Sequence, residues 1–370
     1  MHTPICDVLG IEFPIFAFTH CRDVVVAVSK AGGFGVLGGA RISAEQLEIE
    51  LSWIDKHIDG KPYGVDVLLA SEYAGDNEGE LRKQIPQVSI DFVKELTERF
   101  HIPPPKVADA PSLRGDAAII THDRSRALLD VAFTHPIKLF VSALGPPPKD
   151  LVDRAHANGS LVAGMVGSVR HAQKHVAAQV DLIIAVGTEA AGHVGEISTM
   201  VLIPQVVDAV RPIPVLAGGG IASGRQVAAA LALGAQGAWT GSVWLTTTES
   251  DLEPIVMEKL LKANSEDTVR SRCYSGKPIR QLRTDWVTAW EADDAPPILP
   301  MPLQGLLVRD AIAGAYDYNV EAVVGGAVGQ VVGMMRRVRP VRDVIHDMVG
   351  EYAEVLLRLS DLTEPRPGSV

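Results

Sequence analysis

Two glycine-rich loops of the sequence could bind an anion. Gly218, Gly219 and Gly220 are consecutive, and glycines let the backbone approach a ligand closely with its N–H groups directed at it. The helix expected after this loop adds the positive end of its dipole. Gly241 and Ser242 follow the next apolar run along the chain. Two such loops on neighbouring strands would surround one phosphate, whereas tight turns without a ligand are the alternative.

A histidine lies on a third glycine-rich stretch, residues 187–195. His193 stands between Gly192 and Gly195, and a histidine on such a loop suits general acid–base work because its pKa lies near neutrality. The alternative is an exposed loop histidine without a catalytic role. The neighbouring phosphate-type loops favour the catalytic interpretation. No HExxH or paired-histidine spacing occurs near it, so the sequence predicts no metal site.

Polar residues at other apolar runs are further candidates. Asp66 lies inside an apolar run and needs either a ligand or a structural hydrogen-bond partner. His20 follows the first run and is expected to line a site, while Cys21 is a weaker candidate nucleophile because adjacent residues rarely face each other. Ser142 ends the fourth run, where it either contacts a ligand or starts a turn. The loop at 167–168 offers N–H donors, with plain helix capping as the alternative.

The elements that must position these residues alternate between short apolar runs and helical stretches, which is typical of a parallel α/β sheet. Each run is followed by a helix or a long connection. The order predicts a (β/α)8 TIM barrel, with a doubly wound open sheet as the alternative. The phosphate-type loops follow the last two strands, which favours the barrel. The eight predicted strands are 13–18, 35–37, 63–69, 137–142, 161–166, 181–186, 213–217 and 237–240.

Two segments fall outside this alternation. Residues of about 70–134 are polar and too long for an ordinary connection, so we interpret them as an insertion after the third strand, either a lid or a surface decoration. The predicted domains are the barrel over 1–265, insertion included, and a C-terminal extension over 266–370 that packs on it. The extension is expected to end in a helix over 341–359.

Composition limits the class of partner. Lys and Arg number 34 against 45 Asp and Glu, a net charge of −11, and aromatic residues are only 5%. This balance argues against nucleic acid or an anionic membrane as a partner. The three cysteines lack CxxC spacing, which argues against a disulfide framework. With no signal peptide apparent and with the apolar stretch 320–335 interrupted by glycines, the sequence predicts a cytoplasmic protein.

Four stretches together resemble the nitronate monooxygenase family, formerly called 2-nitropropane dioxygenases. They are AGGFGVLGG (31–39), GTEAAGHVGE (187–196), PVLAGGGIASGRQVAAALALGAQGAWTGS (214–242) and YSGKPIR (274–280). The resemblance runs from about residue 13 to residue 283, outside the insertion. It implies a (β/α)8 barrel that holds FMN noncovalently and oxidises alkyl nitronates or nitroalkanes with O2.

The resemblance also implies roles for individual residues. His193 matches the family's active-site histidine, which takes a proton from a nitroalkane or holds the anionic nitronate. His20 and Glu189 are the predicted substrate-binding residues. The predicted cofactor-binding residues, of which the last five would bind the FMN phosphate, are Ala17, Phe18, Thr19, Asp66, Ser142, Gly167, Ser168, Gly192, Gly218, Gly219, Gly220, Gly241 and Ser242.

The sequence departs from the family at two places near the predicted site. The first loop, 18–21, is shorter than the usual Pro-Met-x-Gly loop, and Asp66 stands where the family usually carries Asn. An FMN-dependent NAD(P)H reductase acting on a quinone, enoyl or acyl-CoA substrate is therefore the alternative function. A flavin-free barrel enzyme for a phosphorylated metabolite and a non-catalytic binding module are further alternatives. The expected partners are a small-molecule substrate with O2 or NAD(P)H, and a homodimer is left open.

Overall fold

Eight parallel strands form a closed barrel in the computed structural model, which describes residues 1–39, 42–69, 78–106 and 122–362. Each strand pairs in parallel with the next, and the eighth pairs with the first. The predicted TIM barrel is confirmed, and the open sheet is excluded. The strands are β1 (Ile15–Thr19), β2 (Phe34–Gly38), β3 (Tyr63–Leu68), β4 (Leu139–Ala143), β5 (Leu161–Val166), β6 (Leu182–Val186), β7 (Val215–Gly218) and β8 (Gly237–Thr240).

Helices surround the barrel and build the rest of the described chain. They are α1 (Pro4–Leu9), α2 (Arg22–Lys30), α3 (Ala44–His57), α4 (Glu78–Arg82), α5 (Gln87–Arg99), α6 (His122–Ala132), α7 (Lys149–Ala157), α8 (Val169–Ala177), α9 (Thr199–Val210), α10 (Gly224–Ala232), α11 (Pro254–Lys262), α12 (Asp285–Trp290), α13 (Leu303–Asp317) and α14 (Val341–Asp361). A small antiparallel sheet pairs β9 (Thr268–Ser271) with β10 (Ile279–Leu282).

Serine side chains begin several of these helices. The hydroxyl oxygens of Ser43, Ser168 and Ser223 each accept a hydrogen bond from the backbone N–H three residues later, so each serine is the N-cap of its helix. Helix α9 begins at Thr199 without a side-chain cap from its N-cap residue Ser198. Its first N–H instead donates to the carboxylate of Glu189, ten residues earlier in the loop that leads into the helix.

The interior of the barrel is apolar because alternate strand residues face inward. Phe16, Val36, Val141 and Ile184 belong to this inner cluster, and Ile5 and Leu9 of helix α1 pack against its lower end. The outward-facing strand residues pack against the helical layer in a separate cluster. The lower end is therefore filled, and the C-terminal ends of the strands are left to form a site.

Helix α14 packs on the barrel between α10 and α2. Its residues Ile345 and Met348 lie in one apolar cluster with Val24 and Val28 of α2. This packing places the end of the chain on the barrel, in the position that follows β8. The division of the chain at residue 265 stays a prediction.

The insertion and the C-terminal extension share a second hydrophobic core. Val93 and Leu96 of helix α5 belong to one cluster with Trp286 and Ile312 from the extension. The Arg309 guanidinium of α13 binds the Glu78 carboxylate of α4 at 2.9 Å. Residues 70–77 and 107–121 of the predicted insertion, and 363–370 of the extension, lie outside the described residues, and the lid function stays a prediction.

Over the part of the chain described, no helix combines the length and apolarity that crossing a lipid bilayer requires.

The contact between α10 and α14 depends on Gly224. A Cβ there would lie 2.0 Å from the Met348 carbonyl oxygen, and the Gly224 N–H donates to the Glu351 carboxylate at 2.9 Å. Gly224→Ala is therefore expected to lower the free energy of unfolding by about 1–3 kcal/mol. Gly350→Ala in α14 is the control: no atom lies within 4 Å of its added Cβ, so it should gain about 0.5–1 kcal/mol. Urea unfolding measures both, and equal effects would contradict the close-approach account.

Candidate active site

A cavity of about 930 Å³ lies at the C-terminal ends of the barrel strands. Its wall consists of strand ends, the loops that follow them and parts of the C-terminal extension. Active sites of (β/α)8 enzymes occupy this end of the barrel. The structure brings together eleven of the predicted site residues in the lining: Phe18, Thr19, His20, Asp66, Gly167, Gly192, His193, Gly219, Gly220, Gly241 and Ser242.

Five predicted site residues do not line the cavity: Ala17, Ser142, Ser168, Gly218 and Glu189. Ala17 packs in the outer cluster beside α14, because the side chain of the next residue, Phe18, is the one that faces inward. The Ser142 hydroxyl is fully buried and donates to the Gly145 carbonyl at 2.7 Å. Ser168 caps α8. The cofactor roles of Ala17, Ser142, Ser168 and Gly218 and the substrate role of Glu189 stay predictions, and none of the five lines the cavity.

The loop after β7 requires glycine for steric reasons. Gly219 and Gly220 have φ values of +99° and +70°, a region that disfavours other residues. A Cβ on Gly219 would lie 2.7 Å from Thr199 Oγ1 and 2.9 Å from the Gly187 carbonyl oxygen. The Thr199 hydroxyl oxygen lies 2.9 Å from the Gly219 carbonyl oxygen and shares its one hydrogen between this carbonyl and the Glu189 carboxylate. Neighbouring atoms therefore pack closely around this loop, and Gly219 and Gly220 line the cavity.

The loop after β8 contributes Gly241 and Ser242 to the same cavity wall. Together with Gly219 and Gly220 after β7 they form what we call the glycine cradle. A Cβ on Gly241 would have one atom within 4 Å, the Phe18 carbonyl oxygen at 4.0 Å, so this position faces open space. The Ser242 hydroxyl oxygen accepts the Gly329 N–H at 2.9 Å, which leaves the hydroxyl hydrogen available to a ligand. Donors and open space thus coincide at this loop, which is what an anion site requires, and the phosphate assignment stays a prediction.

Glu189 stabilises the start of helix α9. Its carboxylate accepts the Thr199 N–H at 3.0 Å and the Thr199 hydroxyl at 2.8 Å. This carboxylate also lies at the positive end of the helix, where a negative charge is favourable. The side chain is therefore directed at α9, and its predicted substrate role stays a prediction.

His193 is held by the small sheet outside the barrel. Gly192 and His193 form a two-residue strand that pairs antiparallel with Arg280 and Ile279 of β10. The His193 Nε2 atom lies 3.1 Å from the Ser275 hydroxyl. The sheet orients the backbone and Ser275 orients the ring, so the imidazole is presented to the cavity in a fixed position.

Ser275 and Arg280 are functional candidates that the analysis of individual residues missed. The Arg280 Nε–H donates to the Thr188 carbonyl at 2.9 Å, which ties the histidine loop to β10. Ser275 is buried and also contacts the Lys277 backbone. Both lie in the stretch YSGKPIR at 274–280, which the resemblance had singled out. The sequence did not show that this stretch contacts His193.

Cys21 is not suited to act as a nucleophile. Its thiol is buried and donates to the Glu249 carbonyl at 3.2 Å. Burial raises the pKa of the thiol to about 11, so the thiolate is scarce near neutral pH. Among the described residues, no group of three or more His, Cys, Asp and Glu could hold a metal ion.

Asp66 is the most strongly perturbed acid of the cavity wall. Its side chain is 2% exposed, and its Oδ2 atom has no hydrogen-bond partner among the described residues. Burial raises the pKa of this carboxyl to about 7, because the charged form loses its hydration. A substantial fraction of Asp66 is therefore protonated at neutral pH and can donate a hydrogen bond.

A closed barrel with a glycine cradle and a histidine at its C-terminal end defines an enzyme of the (β/α)8 class. The family model for nitronate monooxygenases matches residues 2–351, and the chain belongs to the nitronate monooxygenase family. The resemblance found in the sequence is thereby confirmed. The family comprises flavoprotein oxidoreductases, so this chain is an oxidoreductase.

Similar proteins cover nearly the whole chain. The Mycobacterium tuberculosis protein Rv1533, which carries a monooxygenase name, is 52% identical over 98% of this chain and 100% of its own. The structure of FabK from Thermotoga maritima is 26% identical with a TM-score of 0.73 and covers 98% and 99% of the two chains. The fold also matches nitroalkane oxidase from Streptomyces ansochromogenes, with a TM-score of 0.80 at 24% identity over 96% and 99%.

The buried carboxyl of Asp66 makes stability depend on pH. The pKa of Asp66 is about 7 in the folded protein and near 4 in the unfolded chain. Between about pH 4 and pH 7 the folded protein therefore keeps a proton that the unfolded chain has released. Wild-type stability should fall as pH rises from about 4 to 7, by on the order of 4 kcal/mol in all relative to Asp66→Asn. Chemical unfolding of flavin-free protein at pH 5 and pH 8 covers about two pH units of this fall and should therefore show about 3 kcal/mol of it.

Asp251→Asn provides the control for Asp66→Asn. Asp251 lines the same cavity but is exposed, so its removal should leave the pH slope unchanged. Parallel pH profiles for the wild type and Asp66→Asn would show that Asp66 is ionised in the folded protein at neutral pH.

Proposed function

We propose that this chain is an FMN-dependent oxidase of alkyl nitronates and nitroalkanes that uses O2. The observation that carries the proposal is that one cavity is lined both by the glycine cradle, at Gly219, Gly220 and Gly241, and by His193. The same space could therefore take an anionic cofactor tail and present an acid–base group to a substrate. The nitronate monooxygenase family supports the same chemistry.

FMN fits the described residues through its phosphate. The backbone N–H groups after β7, the start of helix α10 and the Ser242 hydroxyl would hold the phosphate oxygens. Phe18 and Gly167 line the remainder of the same space. Bound FMN would supply the electron acceptor for the substrate and return the electrons to O2.

His193 would handle the substrate proton and charge. A neutral imidazole can accept the proton from the carbon beside a nitro group, and the resulting imidazolium can hold the nitronate oxygens. Ser275 lies at 3.1 Å from Nε2 and can accept a hydrogen bond from that nitrogen, which stabilises the imidazolium and fixes the ring. His193 is the proposed catalytic residue, and Ser275 is a positioning residue.

A second candidate function, an NAD(P)H-dependent reductase, is favoured by the apolar part of the cavity wall. Val256, Leu260 and Tyr316 line the cavity and belong to, or pack against, the second hydrophobic core. A nitronate of a few carbons has little apolar surface to bury against these side chains. A quinone, enoyl or acyl-CoA substrate would bury its apolar part there.

Replacement of His193 tests its proposed role. His193→Asn is expected to keep FMN and to slow anaerobic flavin reduction by a nitroalkane about 10²–10⁴-fold, because the proton acceptor is lost. Stopped-flow absorbance measures this rate. His171→Asn, which removes another histidine of the cavity wall, should retain the wild-type rate. A wild-type rate in His193→Asn would exclude the histidine from the reaction.

Gly241 tests the cradle without disturbing the loop itself. A larger side chain at this position enters open space, so Gly241→Val should leave folding intact and fill the phosphate site. FMN affinity should fall about tenfold or more, since overpacking a filled site costs about 1–3 kcal/mol. Quenching of FMN fluorescence measures the Kd, with Gly350→Ala as the control. An unchanged Kd would contradict the assignment of this loop to the phosphate.

A further inference from the structure

A short segment of the C-terminal extension, residues 324–330, contacts both halves of the proposed site, the glycine cradle and the histidine loop over 187–195. The Lys259 ammonium of α11 donates to the Val324 carbonyl at 2.8 Å. The Leu282 N–H of β10 donates to the Gly326 carbonyl at 3.2 Å. The segment is thus anchored to elements outside the barrel. Three of its glycines line the cavity: Gly325, Gly326 and Gly329.

Gly329 orients the hydroxyl of the glycine cradle. The Gly329 N–H donates to Ser242 Oγ at 2.9 Å, in a buried position. This bond occupies a lone pair of the hydroxyl oxygen, and the hydroxyl hydrogen has no acceptor among the described residues. The hydrogen is therefore directed away from Gly329 and can bond to an anion in the cradle. Two hydrogen bonds in such a chain polarise and strengthen each other.

The same glycine lies directly against the histidine loop. A Cβ on Gly329 would lie 2.7 Å from the Glu189 carbonyl oxygen and 3.3 Å from the Ala191 backbone nitrogen. The next residue, Gln330, donates its N–H to the same Glu189 carbonyl at 2.9 Å. Gly329 has φ −80° and ψ 170°, values that any residue adopts, so the close contacts and not the backbone conformation require glycine there. The loop that carries His193 is therefore seated on bare backbone.

We propose that Gly329 is a positioning residue for both halves of the site. Its N–H directs the Ser242 hydroxyl hydrogen to the cofactor phosphate, and its lack of a side chain seats the loop that carries His193. One residue of the extension thereby sets the cofactor and the histidine relative to each other. The inference rests on the proposed function, because phosphate binding and proton transfer are the events that the two contacts serve.

The first test compares the binding of FMN with that of riboflavin, which has the same ring system and no phosphate. Ser242→Ala and Gly329→Ala should each raise the Kd for FMN about tenfold or more, because a hydrogen bond to a charged group is lost or misdirected. Each should change the Kd for riboflavin by about twofold at most, since riboflavin makes no such bond. In the double variant the Kd for FMN should stay within about twofold of Ser242→Ala alone, because the hydroxyl that Gly329 directs is already absent.

The second test measures the histidine half of the site. At FMN concentrations that saturate each protein, Gly329→Ala should slow anaerobic flavin reduction by a nitroalkane about tenfold or more, because the added Cβ displaces the loop that carries His193. Stopped-flow absorbance measures this rate. In flavin-free protein, NMR should show that Gly329→Ala moves the ring C–H signals of His193, a readout that needs neither cofactor nor substrate.

Gly333→Ala is the matched control for Gly329→Ala. Gly333 does not line the cavity, and a Cβ there would lie 2.9 Å from the Ser265 backbone nitrogen, away from both halves of the site. The added methyl group is crowded in both variants, so both should lose stability in urea unfolding. Only Gly329→Ala should change the Kd for FMN, the rate of flavin reduction and the His193 signals.

The outcomes separate this inference from the proposed function. If Gly329→Ala behaves like Gly333→Ala, or if it weakens FMN and riboflavin equally, the positioning role is overturned even where a nitroalkane reduces bound FMN. A wild type that binds FMN and is not reduced by any nitroalkane would contradict the proposed function instead, and the Kd pattern with the His193 signals would then decide the role of Gly329.

A measurement on the wild type covers the case in which Gly329→Ala does not fold. Inorganic phosphate added to flavin-free protein should shift the amide signal of Gly329 through the Ser242 hydroxyl, and Ser242→Ala should abolish this shift. A Gly329 signal that responds to phosphate equally in both proteins, or in neither, would overturn the proposal.

Discussion

The structure around the cavity depends on one antiparallel contact, the pairing of Gly192 and His193 with Arg280 and Ile279. The histidine loop follows β6 of the barrel, whereas β10 belongs to the extension that carries the second hydrophobic core. Other contacts hold the first part of the loop, including the Gln330 N–H that donates to the Glu189 carbonyl at 2.9 Å, and this pairing holds the part that carries the histidine. The pairing fixes the position of His193 relative to the cradle, and Arg280 reinforces it through the Thr188 carbonyl.

Steric and electrostatic requirements explain the residue types of the cavity wall. The cradle at Gly219 accepts no side chain because Thr199 and Gly187 approach its backbone to within 3 Å. Its N–H groups and the start of α10 favour an anion. On the other side of the barrel, Asp66 lies in an apolar interior where ionisation is unfavourable. An anionic ligand would therefore meet donors on one side and, on the other, an acid whose ionisation is disfavoured by burial.

The barrel was predictable because its strands are continuous apolar runs bounded by turn residues. The bounds of β5 and β8 agree with the prediction, and Ser43, Ser168 and Ser223 mark helix starts by local hydrogen bonds. The contacts that could not be predicted from local sequence pattern join residues that belong to different elements or loops. Thr199 begins a helix because Glu189 binds it, and Ser275 meets His193 across 82 residues of chain.

The sequence also did not show which strand residues face the barrel interior and which face the helices. Asp66 faces the cavity and Ser142 does not, although both lie in apolar runs, because a shift of one residue reverses the face. The shared core of the insertion and the extension was also beyond the sequence, since Val93 and Trp286 are far apart in the chain. Local periodicity identifies an apolar face but not the face against which it packs.

The central claim is that a flavin bound at the barrel mouth is reduced by a nitronate. The most direct measurement is the visible absorption spectrum of the purified protein, recorded anaerobically before and after addition of an alkyl nitronate and, separately, of NADPH. The account predicts flavin bands that the nitronate bleaches and NADPH does not. Bleaching by NADPH alone would contradict the nitronate chemistry and identify a reductase. Absence of flavin bands after incubation with FMN would contradict the cofactor site itself.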